Sequence, residues 1–305
     1  MQAFIARRLL QSVVVLLGII TLVFFLMRLA GDPAVIMMPA EASAEQIDAY
    51  RKAMGLDRPL AEQYWTYLTN VVRGDFGMSL RFRQPAMELV LERVPATIQL
   101  AVSALAVGML VGIPMGFFSA LRRETVVDSL FKALALLGQS MPGFWLGIML
   151  ILVLSLHLGL FPTGGRGDPS YLVLPAITLG ANAMASIARL TRSAMLEIIH
   201  KDYIRTARSK GLPERLILFR HAFKNAAIPV VTIMGIQLGG LLGGAVVTET
   251  VFSWPGIGRL AINSIYNRDY AVVQAAVFMT AVFFVFINFV VDLVYGFLDP
   301  RIRYS

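Results

Sequence analysis

Long apolar runs separated by short polar connectors organise this chain. Crossing ~30 Å of hydrocarbon takes roughly 20 apolar residues as a helix. Six runs meet that need: residues 9–27, 98–120, 133–158, 171–188, 226–247 and 271–298. The third is interrupted by Gln139, Ser140 and Pro142, and the fourth is rich in small residues. The runs are continuous, whereas strands of a membrane barrel alternate over about 10 residues. The pattern therefore predicts six membrane helices. The first follows Arg7 and Arg8 as a signal peptide would, but it exceeds the roughly 7–15 apolar residues of one, so it reads as a retained helix.

Two polar segments are longer than connectors need to be. Residues 31–95 follow the first span, and within them Ser43 and Gln46 have capping-box spacing ahead of a helix ending near Gly55. A second helix is expected over Leu60–Val72, before the turn-like string Gly74, Asp75, Phe76, Gly77. This segment reads as a small folded cap, either a packed lid or a surface that meets ligand. Residues 189–225 form the other segment, strongly basic and patterned as a short helix from Asp202, a break at Gly211 to Pro213, and a further helix from Glu214. Such a stretch can lie on acidic lipid. A docking site for a cytoplasmic protein accounts better for the Gly and Pro, which fix an angle that lipid binding does not need.

Composition and charge agree with the hydropathy. Hydrophobic residues make up 57% of the 305 and charged residues 15%, against about 45–50% and about 25% in soluble domains. The formal net charge of +8 is unevenly distributed. One set of connectors and ends holds Arg7, Arg8, Arg122, Arg123, Lys132, Arg189, Arg192, Lys201, Arg205, Arg208, Lys210, Arg215, Arg220, Lys224, Arg301 and Arg303, which is 16 of the 27 Lys and Arg. The same set holds only Glu124, Asp128, Glu197, Asp202, Glu214 and Asp299. Basic loops stay inside, so both termini are expected in the cytoplasm, as six spans require. The basic excess then reports orientation, and nucleic acid is not an expected partner.

Glycines repeat every fourth residue in two spans: Gly108, Gly112 and Gly116 in the second, Gly235, Gly239 and Gly243 in the fifth. Such stripes let helix backbones approach closely, as a moving interface or as static packing. Inside the spans Gln139, Ser140 and Gln237 are candidates to line a pathway or to bond neighbouring helices. Asp292 and Glu249 lie near helix ends, where pairing with basic groups is expected. Covalent chemistry has no visible home. The chain lacks a Gly-x-x-x-x-Gly-Lys-Ser/Thr loop, a Gly-x-Ser-x-Gly elbow and a His-Glu-x-x-His pair. Its Cys count is 0 and its three histidines are scattered, so no catalytic, cofactor or metal residues are assigned.

The inner segment carries a resemblance. Asp202, Tyr203, Ile204, Arg205, Thr206, Ala207, Arg208, Ser209, Lys210 and Gly211, with Arg220 to Asn225 and Pro229, resemble the permease loop of bacterial ABC importers. Within that group the chain is most similar to the dipeptide/oligopeptide/nickel permeases, whose Arg-Thr-Ala-x-x-Lys-Gly form it matches. The general Glu-Ala-Ala pattern has its acid replaced by Arg205. Gly31-Asp32-Pro33-Ala34, Gly55 to Leu60, Gln63-Tyr64, Gly74 to Ser79, Glu249 to Gly258, Arg268-Asp269-Tyr270 and Asp299 to Tyr304 extend the match over nearly the whole chain; Ala30 stands where Pro is common.

The resemblance implies an all-α type I ABC importer permease of six transmembrane helices in the bacterial inner membrane. Its parts would be a first helix at 1–30, an extracytoplasmic helical segment at 31–95, and a five-helix core at 96–305 with a coupling loop at 189–225. The long outer segment is similar to that of the first-named, B-type subunit, which implies a homologous second permease, two cytoplasmic ATPases and a solute-binding protein as partners. Asp202, Tyr203, Ile204, Arg205, Thr206, Ala207, Lys210 and Gly211 would form the ATPase contact, with Tyr203, Ile204, Ala207 and Gly211 shaping it. Family members take dipeptides, longer peptides, glutathione, nickel complexes and some sugars. A stand-alone secondary transporter or channel, or a membrane scaffold or sensor, is the alternative.

Overall fold

The computed structural model describes residues 2–29, 31–38 and 41–298, with side chains over 5–29, 31–38 and 41–293. Ala30 and the motif from Asp299 to Tyr304 lie outside the described residues. Among the described residues there are helices and connectors, with one isolated bridge between Met78 and Pro85. The helices are α1 (Gln2–Leu29), α2 (Pro33–Met37), α3 (Ala44–Ala53), α4 (Leu60–Val72), α5 (Ala86–Leu121), α6 (Val126–Ser140), α7 (Gly143–His157), α8 (Ser170–Ile199), α9 (Asp202–Ser209), α10 (Glu214–Val251), α11 (Ile257–Tyr266) and α12 (Tyr270–Leu298).

Helices α1, α5, α8, α10 and α12 are long and apolar enough to span a membrane, and α6 with α7 meets that test only as a bent pair, which makes six if the pair is one span. The interruption expected at Gln139, Ser140 and Pro142 is a sharp break between two helices: the pair bends by 106°. Pro142 has no N–H to donate, and the residue before a proline is pushed into extended backbone. Met141 adopts that state, with ψ 128.

Other spans reach further than the apolar runs. Helix α5 begins at Ala86, inside the outer segment expected to run to residue 95. Ala86, Leu89 and Val90 already repeat at helical spacing and are buried, and a proline inside a membrane helix, here Pro95, is tolerated. Helix α8 continues to Ile199, so Arg189 and Arg192 belong to a helix and not to a loop. The expected inner helix from Glu214 runs on without a break into the fifth span as α10, with wider π turns over Ile217–Phe223.

Two compact units divide the chain, Met1–Ala96 with Pro255–Phe286, and Thr97–Trp254 with the stretch from Ile287 onward. The first is centred on Ile20, Val71, Phe76, Leu89, Val90, Ile257, Leu260, Val272 and Ala275. Within it α4 rests on α1: Phe24 is wholly buried against the rings of Tyr64 and Tyr67, and Arg28 donates to Gln63 at 2.7 Å. The capping box at Ser43 and Gln46 forms with both of its bonds. Gly74 and Gly77 turn the chain at φ +76 and +87, values that L side chains rarely adopt.

In the second unit α6, α7 and α10 pack on α8. The glycine face of α5 does too. A Cβ added at Gly108 would lie 3.2 Å from Met184 N, and one at Gly112 2.7 Å from Met184 O. At Gly116 it would meet Ala188 O and stand 2.6 Å from Thr191 Cβ. Gly180 returns the contact against Ala104.

Candidate coupling site

Helix α9 has the sequence DYIRTARS, in which Ile204 and Ala207 lie three apart and share one face. That face is buried, Ile204 fully and Ala207 to 8% exposure. It sits among Phe117 and Ala120 of α5, Ala194 and Met195 of α8, and Ile217, Ala222 and Ala226 of α10. Ile204 and Ala207, expected at the ATPase contact, are thus both buried in anchoring α9 to its own chain. Burying two apolar side chains is what secures so short and polar a helix, since eight residues are too few for an isolated one.

The opposite face is available. Asp202, Tyr203, Arg205, Thr206, Ser209 and Lys210 are exposed. Asn225 Nδ2 donates to the Tyr203 hydroxyl at 3.2 Å, which ties the ring to α10. Gly211 ends the helix at φ +74 with nothing within 4 Å of an added Cβ, so backbone conformation and not space calls for glycine there. Arg208 closes the corner with a forked bond to Glu214, Nη2 to Oε1 at 2.7 Å and Nε to Oε2 at 3.2 Å. That bond holds the Arg208 guanidinium above its usual pKa. Beside the corner a groove of about 450 Å³ is lined by Pro213, Arg215, Leu216, Phe219 and Arg220. Its Phe219 stacks on Phe117, ring centroids 5.0 Å apart. The whole is a fixed, basic, shaped surface with no catalytic constellation.

The candidate pathway residues are dispersed. Gln139 and Ser140 end α6 at the elbow, both exposed, and Arg189 of α8 donates to Gln139. Gln237 is half-buried in α10. Among the described residues no hydrogen bond links Gln237 with either of them. The second glycine stripe also divides. Gly235 lies against Val291 and Gly239 is buried, but a Cβ at Gly243 would meet nothing within 4 Å in this chain.

Two buried polar links went unread in the sequence. Asp128, counted as a loop acid, is fully buried and receives Arg192, Ser119, Lys132 and the backbone N–H of Glu124. Only its i,i+4 spacing to Lys132 was visible along the chain. Thr97 donates to the fully buried Glu249 at 2.7 Å, across 152 residues.

Comparison with known proteins bears on this geometry. Residues 112–304 match the family described as binding-protein-dependent transport system inner membrane component, and residues 1–101 match its N-terminal counterpart. The chain is 41% identical over 303 residues to the glutathione transport system permease protein GsiC of Escherichia coli strain K12, covering 99% of each. It is 42% identical, at the same coverage, to GsiC of Salmonella typhimurium strain LT2. A crystal form of the inward-facing MetNI methionine ABC transporter shares the fold at TM-score 0.60 and 20% identity, over 70% of this chain and 97% of that one.

Proposed function

Because this chain belongs to the binding-protein-dependent transport system inner membrane components, and is thus an inner-membrane ABC importer permease, we propose that it passes a peptide or similar small solute under the control of separate ATPases gripping α9. A homologous second permease completes the pathway, and a solute-binding protein loads it from outside. Both termini lie in the cytoplasm, which the sidedness of the basic residues supports. The identity with glutathione permeases favours a peptide-like solute.

The observation that carries the mechanism is the continuity of α9 with its socket. A force on Tyr203, Arg205, Thr206 or Lys210 reaches Ile204 and Ala207, and through them α5, α8 and α10 together. Helix α10 extends from the corner at Glu214 to Val251 in one piece. Displacing α9 therefore biases the spans between two packings, through contacts that differ between them. The exposed basic residues favour an acidic cleft on the ATPase, and the Arg208–Glu214 fork keeps the corner angle while load is applied. Nothing in α9 acts chemically; its role is mechanical.

The deciding experiment reconstitutes the chain with its co-purifying partners in vesicles and follows peptide uptake with and without ATP. Uptake is expected only with ATP and the ATPases present. Uptake by this chain alone would favour a stand-alone transporter and end the proposal.

A further inference from the structure

A pocket of about 230 Å³ opens in the first unit, along one face of α11. Three arginines from three places line it: Arg81 from the turn after Ser79, Arg93 from α5 and Arg259 from α11, with Asn263 and Asn267 exposed beside them. The one acid in the lining, Asp269, is 1% exposed. Its Oδ2 accepts from Ser79 Oγ at 2.5 Å and from the Arg81 backbone N–H at 3.5 Å, which ties the Arg81 turn to the end of α11. Its Oδ1 is buried with no hydrogen-bond donor. Among the described residues neither Arg81 nor Arg93 is in an ion pair. Arg81 and Arg93 therefore bring positive charge that no ion pair compensates, and Arg93 is half withdrawn from water, where a charge interacts more strongly.

We propose that this pocket is a binding site for a single carboxylate. The planar fork of a guanidinium fits a carboxylate with two parallel bonds, and the asparagine amides can donate to the lone pairs left over. The volume lies below the roughly 300–1,000 Å³ of sites that enclose a drug-sized ligand. It suits the end of a chain, either the terminal carboxylate of a free peptide or an acidic side chain presented by a docked protein. The inference rests on the importer reading only for the outer side of the membrane onto which the pocket opens.

The test reads binding and needs neither ATP nor transport, so its failure leaves the importer reading intact. The full chain is placed in nanodiscs of zwitterionic lipid and followed by saturation-transfer NMR with three probes. They are N-acetyl-alanyl-alanine, the same dipeptide as its C-terminal amide, and a blocked alanyl-glutamyl-alanine. The expected result is saturation transfer to one or both carboxylate probes, none to the neutral amide, and about tenfold weaker binding in Arg81→Gln and Arg93→Gln. Preference for the free terminus assigns the site to solute, and preference for the glutamyl probe assigns it to a docked protein. Equal transfer to the amide, no transfer to any probe, or binding unchanged in Arg81→Gln overturns the proposal. Arg81 is exposed, so that variant decides the matter even where Arg93→Gln fails to fold.

Discussion

Arg192 of α8 lays its guanidinium along the carboxylate of Asp128 in α6, Nε 2.9 Å from Oδ1 and Nη2 3.0 Å from Oδ2. Ser119 of α5 donates to the same carboxylate, as do Lys132 at 3.0 Å and the Glu124 N–H at 3.1 Å. The clamp joins three helices one to three residues from Phe117, Ala120, Ala194 and Met195, the wall on which α9 is seated. Polar clamp and apolar socket are thus consecutive stretches of the same helices.

Removing one partner of a fully buried pair typically costs about 3–5 kcal/mol, and the cost here is smaller because Arg192 and Lys132 keep part of their contact with water. Asp128→Asn is expected to lower the thermal midpoint of the detergent-purified protein substantially. Joint replacement, Asp128→Leu with Arg192→Leu, is expected to recover much of that loss. Thermal unfolding followed by size-exclusion chromatography measures both, with the exposed pair mutant Arg123→Gln as reference. An Asp128→Asn protein as stable as that reference would refute the clamp.

Local signals were legible in the sequence wherever the cause is local. The Ser43 capping box, the span of α4 and the glycine corner at Gly211 all follow from neighbours within a few residues. Apolar runs located the spans but not their ends, because Pro95 and the charged residues around it read as a boundary while tertiary burial of Leu89 and Val90 sustains the helix. The candidate coupling residues share one short helix, and only the packed structure separates Ile204 and Ala207, which are buried, from Tyr203, Arg205, Thr206 and Lys210, which are exposed. Asp128 and Arg192 are 64 residues apart, and no periodicity announces such a meeting.

The two glycine stripes are expected to differ. Gly116 lies so close to α8 that a methyl group must force backbone apart, and overpacking of that kind costs typically about 1–3 kcal/mol or more. Gly243 has open space, so Gly243→Ala should leave the isolated chain as stable as before, or stabilise it slightly through helix propensity. Thermal midpoints of Gly116→Ala and Gly243→Ala, taken side by side, check this. Equal losses would mean that Gly243 is packed within the chain after all.

Acid should loosen the cap formed by α2 and α3. Asp32 caps α2, accepting from Ala34 N at 2.9 Å and from Arg51 Nη2 at 2.6 Å. The Arg51 hydrogen bond holds its carboxyl below the ordinary value. A carboxylate lowered on folding contributes stability above its unfolded pKa of ~4, and that contribution is lost as pH falls through the lower folded value. Amide hydrogen exchange over α2 and α3, corrected for intrinsic rates, should thus rise between pH 6 and pH 3. Asp32→Asn should show the raised exchange over α2 already at pH 6, leaving over α3 only the acid response of Asp48, whose carboxyl Lys52 and Arg51 also hold low. A full acid response in that variant would assign it to another group.

Crosslinking distinguishes the two faces of α9. Single cysteines at Arg205 and Thr206, both exposed, should be trapped to an ATPase subunit in the assembled transporter, and the yield should change with nucleotide. A cysteine at Ile204 should not react until the helix is dislodged, because Ile204 is fully buried in its own chain. Gly211→Val adds the measure of coupling. A β-branched residue at φ +74 is strained by about 1–2 kcal/mol, so the corner relaxes and α9 turns off its axis while Ile204 and Ala207 hold it in place. Transport per ATP should then fall several-fold with the protein still in the membrane. Strong trapping at Ile204 and none at Arg205 would invert the assignment of faces, and unchanged coupling in Gly211→Val would move the point of force away from this corner.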